Sequence, residues 1–249
     1  MKRFNPIYYI KMSSYNTVES GDFHPFEDKN IRKAFIRKVY SLLFVQLLWT
    51  FGVGLFFNLY DKSIQFVNSD TGQGLFFLSI GGSLTTILIL FCNPSAGRKF
   101  PSNYILLSLF TLFTSYMVGI TTVYYNTQSV YIAFAITASV TIMLTIYAWQ
   151  TKYDFTDKGG YLIAVLTGLI ITGFLNIFIQ NNFLQLICSG IGAILFSCYI
   201  VYDTQLIVGG NHRKYQYSEE DHVFAALTHY LDIINLFLYM LDLVGRGRR

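Results

Sequence analysis

The chain has 249 residues, of which 53% are hydrophobic and only 13% charged, with a formal net charge of +4. A soluble domain carries about 25% charge, so the composition is that of an integral membrane protein. The basic residues flank apolar stretches rather than interleave with aromatics, which argues against a nucleic-acid-binding surface.

A polar segment, residues 1–38, opens the chain, and the first apolar run behind it is too long for the core of a cleaved signal peptide. That run is expected to act as an uncleaved anchor. Seven stretches approach the ~20 apolar residues that a crossing helix needs: 39–60, 75–92, 103–124, 129–149, 160–180, 184–207 and 223–243. The connections are short, so no soluble domain is inserted. The predicted organisation is a polar cytosolic tail (1–38), a transmembrane bundle (39–243) and a basic C-terminal tail (244–249). All four prolines, Pro6, Pro25, Pro94 and Pro101, fall outside the seven spans, as expected for residues that break helices. Several glycines fall inside them, where they let helix backbones approach closely in lipid.

Lysine and arginine set the orientation. The tail carries eight, and the successive loops carry one, two, none, two, none and two. With the N-terminus cytosolic, fourteen basic residues lie on cytosolic segments and one on the loops opposite. The C-terminus conflicts with this pattern. Seven full crossings place Arg246, Arg248 and Arg249 on the far side, so the last span either crosses with them or re-enters and returns. That span is also the most polar, holding His229, Asp232, Asn235 and Asp242. Such a segment suits a central position wrapped by other helices, and a crossing, central seventh helix is the expectation.

The three cysteines, Cys92, Cys188 and Cys198, have no zinc-site or redox spacing and read as small packing residues.

Asp203 and Asp232 stand inside membrane-length apolar stretches. A carboxylate in hydrocarbon is expensive and tends to face another such group, a cation or a water-filled path. The sixth span runs towards the cytosol and the seventh runs back. With 1.5 Å of rise per residue, Asp203 lies roughly 8 Å and Asp232 roughly 14 Å inside the cytosolic ends of their spans. Two carboxylates meeting there do not both stay ionised; they share a proton. Protonated, the pair hydrogen-bonds and holds the two helices together. Deprotonated, it repels, opens and offers oxygen ligands to a hard cation such as Ca²⁺. Asp203 and Asp232 are therefore the candidate pH gate, ion pathway and transient Ca²⁺ ligands, with structural capping or pairing as the alternative for each.

Several separate motifs, in order, carry a family resemblance. Gly97-Arg-Lys-Phe-Pro-Ser-Asn-Tyr-Ile-Leu-Leu107 and Ala133–Thr156, which includes Tyr147-Ala-Trp-Gln-Thr-Lys-Tyr-Asp-Phe-Thr156, resemble the lifeguard branch of the transmembrane Bax inhibitor motif family. So do Tyr202-Asp-Thr-Gln205, Tyr217-Ser-Glu-Glu-Asp-His-Val-Phe-Ala-Ala226 and Tyr230-Leu-Asp-Ile-Ile-Asn-Leu-Phe237. The resemblance covers about residues 30–243. It implies an all-α fold of six helices around a central seventh. It also implies passive, pH-tuned leak of Ca²⁺ from intracellular stores, with Ca²⁺ as permeant ion and no cofactor. The implied setting is Golgi, endoplasmic reticulum or related membranes, in association with suppression of apoptosis and with membrane-protein partners in cell-death or calcium signalling. The two aspartates stand at the matching motif positions. In the Golgi anti-apoptotic members a glutamate before the seventh span affects conduction, and Glu220 aligns with it most simply. Acidic residues at a helix N-terminus are favoured regardless of function.

Three further residues are candidates. Arg98 can partner the aspartates or simply anchor the second span at the interface. His229 precedes Asp232 by three residues on the same helix face and can tune it, though a hydrogen-bonded core histidine is the ordinary expectation. A metal set of His222, His229 and Asp232 lacks a second supporting cluster. Asp154 and Asp157 read as surface turn residues, and Asp242 as interfacial.

The chain reads as a non-enzyme. Tyr202-Asp203 matches half of an intramembrane aspartyl protease, but Gly-x-Gly-Asp is replaced by His229-Tyr-Leu-Asp232 and no Pro-Ala-Leu follows. A receptor reading rests on seven spans alone. A non-conducting scaffold, regulating store calcium or death signalling through partners, is the stronger alternative to a channel.

Overall fold

Seven long helices dominate the computed structural model, which describes residues 29–210 and 213–246. They are α1 (Lys29–Leu59), α2 (Asp70–Cys92), α3 (Ser102–Val123), α4 (Thr127–Gln150), α5 (Gly159–Ile179), α6 (Asn182–Val208) and α7 (His222–Arg246). Short helices at Ser63–Val67 and Pro94–Arg98 sit in the first two loops, and no strand occurs among the described residues. All seven long helices have the length and composition to cross a membrane. The protein is an all-α, seven-helix integral membrane protein.

The arrangement turns the usual soluble pattern outward. Phe44, Trp49, Phe77, Ile170, Ile177 and Ile194 are exposed, as side chains facing lipid should be, while hydroxyls and amides point inward. Gln46 Nε2 on α1 donates to Thr111 Oγ1 on α3 at 2.9 Å. Thr122 Oγ1 on α3 donates to Gly54 O on α1 at 3.0 Å. Polar side chains buried between helices have no water to turn to, so they bond across the interface.

α7 is the most enclosed helix and α5 the least. α7 packs against α1, α3, α4 and α6, and its Leu227, Tyr230, Leu236 and Leu241 are fully buried in the main core. Tyr230 places its hydroxyl 2.8 Å from Thr50 Oγ1 on α1. The expected central seventh helix is present. It is unbroken over 25 residues, about 37 Å at 1.5 Å per residue, and ends beside Tyr125, whose hydroxyl donates to Asp242. An unbroken helix long and apolar enough to cross leaves no turn at which this span could re-enter and return. Enclosure by four helices accommodates the polar residues that suggested a return.

The first span departs from expectation at its start. α1 begins at Lys29, so residues 29–38, assigned to the polar tail, are helical; residues 1–28 lie outside the described part. The charged residues of this extension conceal an apolar i, i+4 pair. Phe35 and Val39 bury against Ile207 of α6 and Ala225 and Ala226 of α7. Arg32 Nε donates to Val208 O at the end of α6, a favourable place for a cation because helix-terminal carbonyls lack intrahelical partners. There α6 stops at Gly209 and Gly210, with φ of 60° and 125°, conformations that residues with a Cβ rarely adopt.

Candidate functional site

The α6–α7 pairing creates the site. Asp203 lies five residues before the end of α6 and Asp232 ten residues into α7. The segment between them turns back along α6, where Tyr217 N–H donates to Leu206 O at 3.1 Å. This brings Asp203 and Asp232 together. With His229, one helical turn before Asp232, they offer one ligating atom each, all within 4.8 Å of one another. All three are buried; His229 is 0% exposed.

Aromatic side chains from three directions close the pocket around these groups. Tyr40 of α1 meets the His229 ring edge-on at 6.0 Å. Tyr199 and Tyr217 stand near both carboxyls, and Tyr40 and Tyr202 near that of Asp203. The Thr228 hydroxyl lies against Asp203 and 3.1 Å from Tyr217 Oη. Burial, reinforced by Asp203, pushes the Tyr217 hydroxyl well above its ordinary range, so it remains a neutral O–H. The surroundings are thus neutral groups, and among the described residues the only basic group facing the two carboxylates is the imidazole of His229.

One oxygen of each carboxyl, Asp203 Oδ2 and Asp232 Oδ2, has no hydrogen-bond partner among the described residues. The same is true of both ring nitrogens of His229. The expectation of a hydrogen-bonded core histidine is therefore overturned. Its ring sits against the Tyr40 edge and the carboxylates instead of a carbonyl. The metal-type grouping also changes membership. His222 stands apart from it, with Nε2 3.2 Å from Tyr104 Oη, and Asp203 takes the third place.

Arg98, considered as a partner for the aspartates, makes its ion pairs elsewhere. Its Nε lies 2.8 Å from Asp221 Oδ1 and 3.9 Å from Glu220 Oε2. Asp221 also accepts from Ser218 Oγ at 2.5 Å. The stronger tie between the second loop and the start of α7 thus runs through Asp221, a residue that the sequence did not separate from its acidic neighbours. Glu220 is 67% exposed at the edge of that contact.

Two other aspartates prove more connected than the sequence suggested. Asp154 is a turn residue, accepting from Thr156 N–H at 2.9 Å and Thr156 Oγ1 at 2.7 Å, but it also accepts from Lys214 N–H at 2.9 Å. It therefore joins the loop after α4 to the loop before α7. Burial opposes its charge, but these hydrogen bonds and nearby Arg213 outweigh that and hold its carboxyl below the usual range. Gln205 of α6 grips the same loop, donating to Tyr153 O at 3.0 Å and accepting from Phe155 N–H at 2.8 Å. Asp157 pairs with Lys214 at the surface. At the far end of α7, Asp242 accepts from Ser189 Oγ at 2.5 Å and Gln185 Nε2 at 3.3 Å, both on α6.

Residues 32–249 match the model of a family described as inhibitor of apoptosis-promoting Bax1. Protein lifeguard 3 of Homo sapiens is 38% identical over 233 residues, spanning 91% of this chain and 73% of that protein. Protein lifeguard 3 of Mus musculus is 36% identical over 241 residues, 93% of this chain and 76% of its own. The Golgi anti-apoptotic protein of vaccinia virus (strain Lister) is 36% identical over 229 residues, covering 92% of this chain and 90% of the viral protein.

Proposed function

This chain belongs to the Bax inhibitor-1-like family of membrane proteins, and on that premise we propose that it is a pH-sensitive Ca²⁺ leak pathway of intracellular membranes, acting in calcium homeostasis and restraining apoptosis. The Golgi anti-apoptotic relative favours the Golgi as its membrane, with the endoplasmic reticulum next. The observation that carries the reading is the buried meeting of Asp203 and Asp232 across α6 and α7.

A proton shared by the two carboxyls removes one charge and lets them bond, which holds α6 against α7. Losing it leaves two like charges in an apolar pocket, where their repulsion is weakly screened. The helices then part at this level, and carboxylate oxygens become available to a hard divalent cation. Asp203 Oδ2 and Asp232 Oδ2, which accept no hydrogen bond from any donor among the described residues, are the atoms such an ion would meet first. The sign is fixed by this chemistry: acidification closes the path and alkalinisation opens it.

The test is Ca²⁺ efflux from liposomes holding the purified protein across pH 6 to 8. Efflux should rise with pH. In Asp232→Asn the pH response should flatten, because an amide cannot lose the shared proton, and Asp203→Asn should behave alike. A folded, correctly inserted protein that passes no Ca²⁺ at any pH would replace the leak with the partner-binding scaffold.

A further inference from the structure

We propose that Asp203, His229 and Asp232 form a binding site for a borderline divalent metal ion of the Zn²⁺ class, which pins α6 to α7. The inference uses the pocket of the proposed gate, but it does not rest on ion flow.

Three observations support it. First, the ligating atoms lie within 4.8 Å of one another. Ligands of a tetrahedral Zn²⁺ at about 2.0–2.2 Å stand roughly 3.3–3.6 Å from one another, so the longest of these separations closes by about 1.2–1.5 Å on binding, a movement that rotation of the three side chains supplies. Second, beyond the contact between the two carboxyls and the Thr228 hydroxyl on Asp203, the protein leaves these ligating atoms open. Asp203 Oδ2, Asp232 Oδ2 and both His229 nitrogens lack hydrogen-bond partners among the described residues, although all three side chains are buried. A buried polar group without a partner is costly, and a metal ion would satisfy a carboxylate oxygen from each helix and one imidazole nitrogen together. Third, the charge balances. Two carboxylates, a neutral imidazole and a divalent cation sum to zero, the state that a low-dielectric interior favours.

The donor set also selects the metal. Ca²⁺ and Mg²⁺ prefer all-oxygen shells, whereas imidazole suits Zn²⁺ and its transition-metal neighbours. Three protein ligands leave an open position, as in zinc sites that exchange their fourth ligand. His229 and Asp232 share one face of α7 and Asp203 comes from α6, so the bound ion is a cross-link between the helices. In a conducting protein it would be a blocker.

The purified full chain, without an affinity tag and stripped with a chelator, is titrated with Zn²⁺ and separately with Co²⁺. Zn²⁺ should raise the melting temperature of the wild type at concentrations where Ca²⁺ does not. Co²⁺ should give the visible ligand-field bands of mixed imidazole–carboxylate coordination. His229→Gln should weaken Zn²⁺ binding by more than the 10–100-fold typical of an outer-shell change, and His222→Gln should leave it intact. The proposal is overturned by the absence of Co²⁺ bands in the wild type, by a Zn²⁺ shift that survives His229→Gln, by one that disappears in His222→Gln, or by Ca²⁺ competing on equal terms. Because the Co²⁺ spectrum is read on unmodified protein, a variant that misfolds does not protect the idea. Because binding is read without flux, a non-conducting protein can still pass.

Discussion

Gly192 and Gly190, two residues apart on α6, should respond in opposite ways to the same added methyl group. A Cβ at Gly192 would stand 2.6 Å from Cε2 and Cζ of Tyr239 on α7, and 2.7 Å from Cδ2. Carbon atoms in ordinary contact are about 3.5–4.0 Å apart, so the ring must retreat by roughly 1 Å. Its retreat is blocked on one side by Phe196, stacked at 5.8 Å and itself buried, while the ring itself is partly buried against two apolar clusters. Overpacking of this kind costs about 1–3 kcal/mol. At Gly190 nothing lies within 4 Å of the added atom, and alanine is the better helix former by up to about 1 kcal/mol.

Thermal unfolding in detergent should therefore show Gly192→Ala melting several degrees below wild type, at roughly 2–4 °C per kcal/mol for a chain of this size. Gly190→Ala should melt at or slightly above wild type. Tyr239 follows Asp232 by two helical turns, so a wedge at Gly192 also loosens the packing that holds the carboxylates together. Gly192→Ala should accordingly raise Ca²⁺ efflux at low pH if the path is gated there. Equal melting temperatures for the two variants, or a more stable Gly192→Ala, would refute the claim that close approach at this glycine sets the α6–α7 distance.

The loops at the Asp203–Asp232 end of the bundle make sharper distinctions than the sequence did. Arg98→Gln or Asp221→Asn should speed amide hydrogen exchange over residues 218–224 and cost about 1 kcal/mol or less, because both partners of the 2.8 Å ion pair are partly exposed. Glu220→Gln should do much less, since its contact is 3.9 Å long and mostly solvated; an equal effect would sink the assignment to Asp221. Asp154 gives a pH signature. Its carboxyl is held below the ordinary value of about 3.9, so its contribution is complete above that value and disappears as pH falls through the lower folded-state value. The melting-temperature gap between wild type and Asp154→Asn should be present at pH 7 and shrink in strong acid; a gap that widens on acidification would contradict the loop-to-loop role.

The spans were legible because bilayer thickness dictates the length of an apolar run, and no tertiary knowledge is needed to count it. The start of α1 was hidden because its buried face is carried by only Phe35 and Val39 among Arg32, Lys33, Arg37 and Lys38, so average polarity masks a one-sided helix. Asp203 and Asp232 were legible for the opposite reason: a carboxylate in hydrocarbon stands out against every neighbour. Choosing among Glu219, Glu220 and Asp221 was beyond a sequence reading. They form a single 3₁₀ turn, whose three residues per turn point three ways, and only the position of Arg98 decides which faces it. Asp154 failed similarly, because its second partner is sixty residues away.

His229 is the most instructive case. Its spacing from Asp232 was visible, but the lack of a protein partner for either nitrogen belongs to the packed interior alone. Other buried polar atoms also lack a partner, among them Gln46 Oε1 and Ser129 Oγ, but these side chains are neutral, and Gln46 still bonds Thr111 through Nε2. A buried imidazole and two carboxylates left partly unsatisfied are poor glue, and apolar side chains of similar volume would serve stability as well or better. Their meeting at one point between α6 and α7 argues for a site whose occupant, proton or metal ion, changes.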